Sequence, residues 1–174
     1  KYLNKRGLID IGFPYYGWLV AIQTVPVRFA EKLGINLIFY GEDGEVEYGG
    51  STETAKDPIY GTEYMKKVYL ENSTYSSYKK ILEDTRKKGY KDLDFFCFPD
   101  LEKTSNLKIT HWSYFENWDP YRNYLFAKQH CGLEEADSNN LGTFTNFAQN
   151  DQAFYALHTY LMYLKYGFGR ANQD

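Results

Sequence analysis

The chain has 174 residues, the size of one ordinary domain, and at this length a protein buries about two thirds of the surface that its unfolded chain exposes. We therefore predict one domain over residues 1–174. The 20 basic and 23 acidic residues give a net charge of −3, which excludes nucleic acid as the main partner because phosphate binding needs a basic stripe. No stretch approaches the roughly 20 apolar residues that span a bilayer, and residues 1–10 lack the apolar core of a signal peptide, so the sequence predicts a cytoplasmic protein.

Cysteine and histidine give no sign of a metal site. Cys97 and Cys131 are too few and too far apart for a disulfide framework or a zinc ribbon, and His111, His130 and His158 match no ligand spacing. We predict that the chain binds no metal through these residues. Aromatic residues make up 19% of the chain, including 18 tyrosines, which suits a sugar-facing surface or a core with polar contacts. Ordinary packing of the rings is the alternative.

The beginning of the chain predicts a helix followed by a strand. Apolar residues recur at a helical period over residues 15–34, where Pro26 starts or kinks the helix and Gly34 ends it. Residues 35–41, INLIFYG, are nearly all apolar and predict a short buried strand. A helix followed by a buried strand indicates an α/β fold with parallel strands, in which ligands bind at the carboxyl ends of the strands.

The rest of the chain predicts a second strand at residues 107–115, where polar and apolar residues alternate. Asp119 is a good N-cap for one of the later helices, with Pro120 at its first position and Gly132 at its end. Residues 92–106 are rich in aromatic residues and fit either a short buried segment or a hydrophobic loop. The predicted helices lie within residues 73–89, 118–132 and 151–167.

An acidic, glycine-rich stretch, FYGEDGEVEYGG at residues 39–50, follows the first predicted strand. Its carboxylates could bind magnesium, orient an amine or act as a general base, and its glycines would let the backbone approach a ligand. A solvated turn is the alternative interpretation. Arg170, in the sequence GFGR, is the best single candidate for binding an anion. The chain contains no GxxxxGK[ST], GxGxxG or GxSxG motif.

Three stretches resemble a known family in sequence, order and spacing. Residues 25–50, 114–133 and 142–174 look like the C-terminal two thirds of the N-acetyl sugar amidotransferases that act in surface-polysaccharide biosynthesis. The resemblance implies a Rossmann-like parallel sheet of the adenine-nucleotide α-hydrolase superfamily. It also implies an enzyme that uses ATP and Mg to convert the acetamido group of a nucleotide-linked sugar to an acetamidino group, for lipopolysaccharide O-antigen. The ammonia would come from a glutamine amidotransferase partner, together with a cyclase-like barrel subunit.

The resemblance further implies a set of site residues. Glu42 and Glu47 would be catalytic. Residues of these types can position ammonia and hold the polar groups of a substrate. The substrate-binding positions would be Tyr48, Gly49, Gly50, Trp118, Asp119, Asp151, Arg170 and Asp174.

The chain also departs from the family pattern. Family members carry an SGGKDS-type pyrophosphate loop and a cysteine-rich metal-binding segment ahead of the matching region, and neither occurs in these residues. Because the amides of such a loop hold the phosphates of ATP, we expect this chain to be the C-terminal portion of a longer enzyme and to be inactive by itself. Two alternatives stay open: a non-catalytic docking or carbohydrate-binding domain, and a different ATP-dependent enzyme of the same superfamily.

Overall fold

The computed structural model describes residues 1–44, 57–71, 78–91, 93–147 and 152–167. The chain divides into two compact units. The first contains residues 1–6 and 16–118 and carries the β-sheet, and the second contains residues 7–15 and 119–174.

Two helices open the chain: α1 spans Tyr2–Ile11 and α2 spans Tyr16–Leu33. The predicted helix over residues 15–34 is confirmed, and it ends at Gly34, which has a φ of 66°. Pro26 lies inside α2 rather than at its start. Because proline has no N–H, the carbonyl of Ile22, four residues earlier, lacks its usual helical donor. The hydroxyl of Tyr40 donates a hydrogen bond to that carbonyl over 2.7 Å, so a side chain from outside the helix replaces the missing bond.

The sheet has three short strands in the order β1-β3-β2: β1 spans Leu37–Tyr40, β2 Tyr60–Gly61 and β3 Lys108–His111. Strands β1 and β3 are parallel, with Tyr40 opposite His111, whereas β2 is antiparallel to β3. The fold of the first unit is therefore mixed α/β. The predicted parallel pairing is confirmed for β1 and β3, but the antiparallel β2 makes the sheet mixed rather than parallel throughout.

The prediction of a buried first strand is wrong. Strand β1 lies at the edge of the sheet, and its side chains alternate between exposed and partly buried. Leu37 and Phe39 are 52% and 48% exposed. An apolar run such as INLIF has the same composition in a central strand and in an edge strand, so the sequence does not separate the two cases.

One core cluster joins α2 to the sheet. Helix α2 contributes Val27 and Ala30, while Ile38 and Tyr40 of β1 pack against the cluster from the strand side. Its other buried members come from β2, β3 and the segments next to them. These are Tyr60, Met65, Tyr69, Leu107 and Ile109.

The remaining segments of the first unit are short. Helix α3 spans Thr62–Met65 and continues as a π-helical turn, Lys66–Leu70, and neither was predicted. Helix α4 spans Tyr78–Lys87 and confirms the predicted amphipathic helix, while residues 72–77 lie outside the described part of the chain. The aromatic segment at 92–106 forms two 3-10 turns, Asp94–Phe96 and Glu102–Thr104.

The second unit contains α5, Pro120–Cys131, and α6, Gln152–Tyr166. The predicted ends of these two helices, at Gly132 and Gly167, are confirmed. Both glycines have a positive φ, 69° and 76°. The ammonium group of Lys165 donates hydrogen bonds to the carbonyls of Ile11 and Gly12, over 2.9 and 3.1 Å. None of the helices in the described ranges is long and apolar enough to cross a membrane.

The bond between Tyr40 and the Ile22 carbonyl predicts that positions 26 and 40 are coupled. Tyr40→Phe leaves a carbonyl without a donor and is expected to lower the free energy of unfolding by about 1–3 kcal/mol. In a Pro26→Ala background the new amide can donate to Ile22, so the same change should cost clearly less. Urea unfolding of the four combinations measures this difference, and Tyr121→Phe, at an exposed position, is the control. Equal costs in both backgrounds would contradict the coupling.

Candidate functional site

The candidate site lies at the carboxyl ends of the parallel strands β1 and β3. Tyr40 and His111 are the last residues of these strands and lie opposite each other in the sheet. Residues 41–44 follow β1, and a 3-10 turn, Trp112–Tyr114, follows β3. Ligands of open α/β sheets bind at this edge, because the loops that leave adjacent parallel strands meet there.

A buried imidazole is the centre of the site. His111 is only 3% exposed, and its Nε2 is 2.6 Å from the hydroxyl oxygen of Tyr60. The rings of Tyr40 and Tyr60 both stack on the imidazole, with centroid distances of 5.2 and 5.8 Å. The other ring nitrogen, Nδ1, is buried and has no hydrogen-bond partner among the described residues.

Burial keeps these side chains neutral. It lowers the pKa of His111 from 6.5 to about 4, so the imidazole carries no charge at neutral pH. Burial also raises the pKa of the Tyr60 hydroxyl well above its usual value, and electrostatic interaction with Tyr69 and Tyr40 adds to this. Tyr40 shows the same effect of burial, with the negative charge of Glu42 as the next cause of its raised pKa. The Glu42 carboxylate is therefore close enough to act on the Tyr40 hydroxyl.

Gly44 allows the turn after β1 to lie against the imidazole. A Cβ atom added at Gly44 would lie 2.8 Å from Cγ of His111 and 3.0 Å from its Cδ2, which is closer than non-bonded carbon atoms pack. By contrast, a Cβ added at Gly41, in the same turn, would meet nothing within 4 Å. Gly44 therefore lies directly against the side chain of His111, and Glu42 is the middle residue of the segment from Tyr40 to Gly44.

Exposed aromatic rings flank the same strand ends. Phe39 stacks on Phe115 with a centroid distance of 5.6 Å, and it also contacts Trp112 at 6.0 Å. All three rings are substantially exposed. Exposed rings beside an acidic turn can stack against a sugar or a base, and they would give a ligand apolar contact area.

The structure locates three of the predicted site residues. Glu42 is partly buried at the carboxyl end of β1, and Trp118 is partly buried at the end of the first unit. Asp119 is the N-cap of α5 in the second unit, where its carboxylate accepts a hydrogen bond from the amide of Arg122 over 2.9 Å. Seven predicted residues lie outside the described part of the chain: Glu47, Tyr48, Gly49, Gly50, Asp151, Arg170 and Asp174.

The sequence analysis missed the centre of the site. The second strand was predicted over residues 107–115, whereas β3 ends at His111. The rule that ligands bind at carboxyl ends would therefore have been applied four residues too late. Tyr60 gave no comparable signal, because β2 contains only two residues and has no detectable alternation. Within the described ranges no group of three or more His, Cys, Asp or Glu residues could hold a metal ion.

No protein-family model matches the chain, and no curated protein matches it.

The buried imidazole predicts a loss of stability in acid. The pKa of His111 is 6.5 when unfolded and about 4 when folded, so the unfolded chain takes up a proton at higher pH. The stability that neutral His111 provides is complete above its unfolded pKa and is lost as the pH falls through its folded pKa. Between about pH 7 and about pH 4 the free energy of unfolding should fall by about 3 kcal/mol from this group. Urea unfolding across this range should show a shallower pH slope for His111→Gln than for the unsubstituted chain.

The exposed His130 is the matched control for this experiment. The pH slope of His130→Gln is compared with that of His111→Gln, since both replace one imidazole by the same side chain. If His111→Gln and His130→Gln gave the same slope, the imidazole of His111 would titrate as a solvated group.

Two substitutions of Asp119 can separate its role as a helix cap from a role in binding. Asp119→Ala should lower the free energy of unfolding by about 1 kcal/mol because the amide of Arg122 loses its acceptor, whereas Asp119→Asn should keep the cap. If the carboxylate also binds substrate, Asp119→Asn should weaken substrate binding at unchanged stability. Thermal unfolding and calorimetric titration of both variants make the comparison.

Proposed function

We propose that this chain is the C-terminal portion of an ATP-dependent amidotransferase that converts the acetamido group of a nucleotide-linked sugar to an acetamidino group in lipopolysaccharide O-antigen biosynthesis. The observation that carries the proposal is the ordered resemblance of residues 25–50, 114–133 and 142–174 to that family. The position of Glu42 supports it, because the first of these stretches places this carboxylate directly after a strand that is parallel to its neighbour.

The site offers polar and apolar groups that suit the acetamido end of such a substrate. In the proposed reaction ATP adenylylates the acetamido oxygen, and as the nitrogen of ammonia bonds to the amide carbon the C–O bond breaks and the oxygen leaves with AMP. Glu42 can accept the proton that ammonia loses, and it can orient ammonia before that step. The exposed rings of Phe39, Trp112 and Phe115 can stack against the sugar. Glu42 would thus be the catalytic residue in the described part of the site, and Glu47 remains a candidate from the resemblance alone.

The described site does not fit the triphosphate of ATP. The groups placed around the strand ends are the carboxylates of Glu42 and Asp43, the hydroxyls of Tyr40 and Tyr60 and a neutral imidazole, and none of these neutralises phosphate charge. We therefore assign no step with ATP to these residues. In the proposal, ATP and Mg bind to a part of the longer protein that precedes the matching region in the family.

We also propose that the three-stranded sheet is part of a larger Rossmann-like sheet. The outer edge of β1 pairs with no strand in the described part of the chain, and its residues Leu37 and Phe39 are half exposed. Such an edge presents unpaired backbone groups next to apolar side chains, which is a surface that a further strand can cover. The glutamine amidotransferase and cyclase-like partners follow from the resemblance.

The test is an assay of the longer protein with ATP, glutamine, its partner subunits and a UDP-linked acetamido sugar. We expect AMP and pyrophosphate to be released, with a product in which NH has replaced the acetamido oxygen. Glu42→Gln should lower kcat by about 10²–10⁴-fold, and Asp43→Asn, the adjacent carboxylate, is the matched control. Release of ADP instead of AMP, or the absence of an amidine product, would refute the proposed activity.

A second candidate function is a non-catalytic carbohydrate-binding or docking domain. The exposed cluster of Phe39, Trp112 and Phe115 favours it. In that case calorimetry would detect binding of the nucleotide sugar, or of the glutaminase partner, and no turnover would occur in the complete assay. Replacement of Phe115 by Ala would then weaken binding, while Glu42→Gln would have little effect.

A further inference from the structure

His111 combines an unpaired buried nitrogen with a fixed orientation. Nearly all buried polar groups in proteins are paired, and an unpaired one lowers stability. Nδ1 of His111 is such a group among the described residues. Nε2 lies 2.6 Å from the Tyr60 hydroxyl oxygen, and the ring of Tyr60 packs in turn against Tyr64 and Tyr69. This bond and the stacked rings of Tyr40 and Tyr60 hold the plane of the imidazole.

The turn after β1 is held at both ends, and both contacts involve this ring. At one end Tyr40 stacks on the imidazole and is bonded to the Ile22 carbonyl. At the other end Gly44 lies against the Cγ and Cδ2 atoms of the ring, so closely that no side chain would fit between them. Glu42 is the middle residue between these two contacts.

We propose that His111 is a positioning residue that fixes where Glu42 lies at the carboxyl edge of the sheet. The imidazole supports the turn at residues 41–44, and Tyr60 holds the imidazole. Because His111 is buried and Gly44 packs against its ring, it acts through Glu42 and has no direct contact with the substrate. The catalytic consequence rests on the proposed function, whereas the placement of the turn does not.

The placement is tested without any activity, by stability and by spectra of this chain. Gly44→Ala should lower the urea midpoint of unfolding, because its new methyl group would overlap the imidazole. Gly41→Ala is the matched control and should change the midpoint little, since open space surrounds that position. In a His111→Ala background the contacts with Cγ and Cδ2 are removed and only the one with Cβ, at 3.0 Å, is left, so Gly44→Ala should cost clearly less than in the unsubstituted chain. If Gly44→Ala were as mild as Gly41→Ala in the unsubstituted chain, the contact would not support the turn.

Amide spectra report on Glu42 itself. We expect His111→Leu, which fills a similar volume without the bond to Tyr60, to shift the ¹H–¹⁵N signals of Glu42 and Gly44. The signals of α5, in the other unit, serve as the internal reference and should stay in place. His111→Gln keeps a flat polar group that can bond to Tyr60, and it should shift the Glu42 signal less than His111→Leu. Unchanged Glu42 and Gly44 signals in His111→Leu would overturn the proposal.

The catalytic consequence is tested in the longer protein with its partners. His111→Leu should lower kcat about tenfold or more, with the KM for the acetamido sugar unchanged within about twofold, since only the placement of Glu42 is altered. In a Glu42→Gln background the same change should cause almost no further loss. Equal losses in both backgrounds would show that His111 acts independently of Glu42. If the unsubstituted protein formed no amidine, the proposed function would fail, while the stability and spectral results would still decide the placement.

Discussion

The structure of the first unit depends on one hydrogen bond that a proline makes necessary. Pro26 removes a donor from the middle of α2, and the hydroxyl of Tyr40 replaces it at the carbonyl of Ile22. The same tyrosine is the last residue of β1 and stacks on His111. The bond therefore joins the helix, the edge strand and the buried imidazole, and it explains why a helix-breaking residue is compatible with a continuous helix that covers the sheet.

At the strand ends, neutral buried groups lie beside the acidic turn at residues 41–44. His111, Tyr40 and Tyr60 are all held in their uncharged forms by burial. Glu42 is partly buried beside them. Asp43 adds a second, partly buried carboxylate, so the turn is acidic while the groups that support it are neutral.

Features that depend on sequence neighbours could be predicted, and features that depend on distant residues could not. Asp119, Pro120 and Gly132 define the ends of a helix through contacts within a few residues, so their pattern was sufficient. The exposure of Leu37 depends on whether another element covers the face of β1 opposite to that of Ile38 and Tyr40, which a local pattern does not contain. His111 gains its role from Tyr60 and Gly44, which are distant in sequence. Glu42 was found because both its residue type and its place after a strand are local signals.

The pairing of β1 with β3 has a consequence during protein synthesis. Leu37 pairs with Lys108, so the ribosome must add about 70 residues after β1 before its partner strand exists, which takes roughly several seconds. Over that time Leu37 and Phe39 have no strand beside them, and Tyr40 has no imidazole on which to stack. Helix α2 can form earlier, because its contacts are local. Until β3 emerges, the nascent chain therefore exposes this apolar segment without its partner strand.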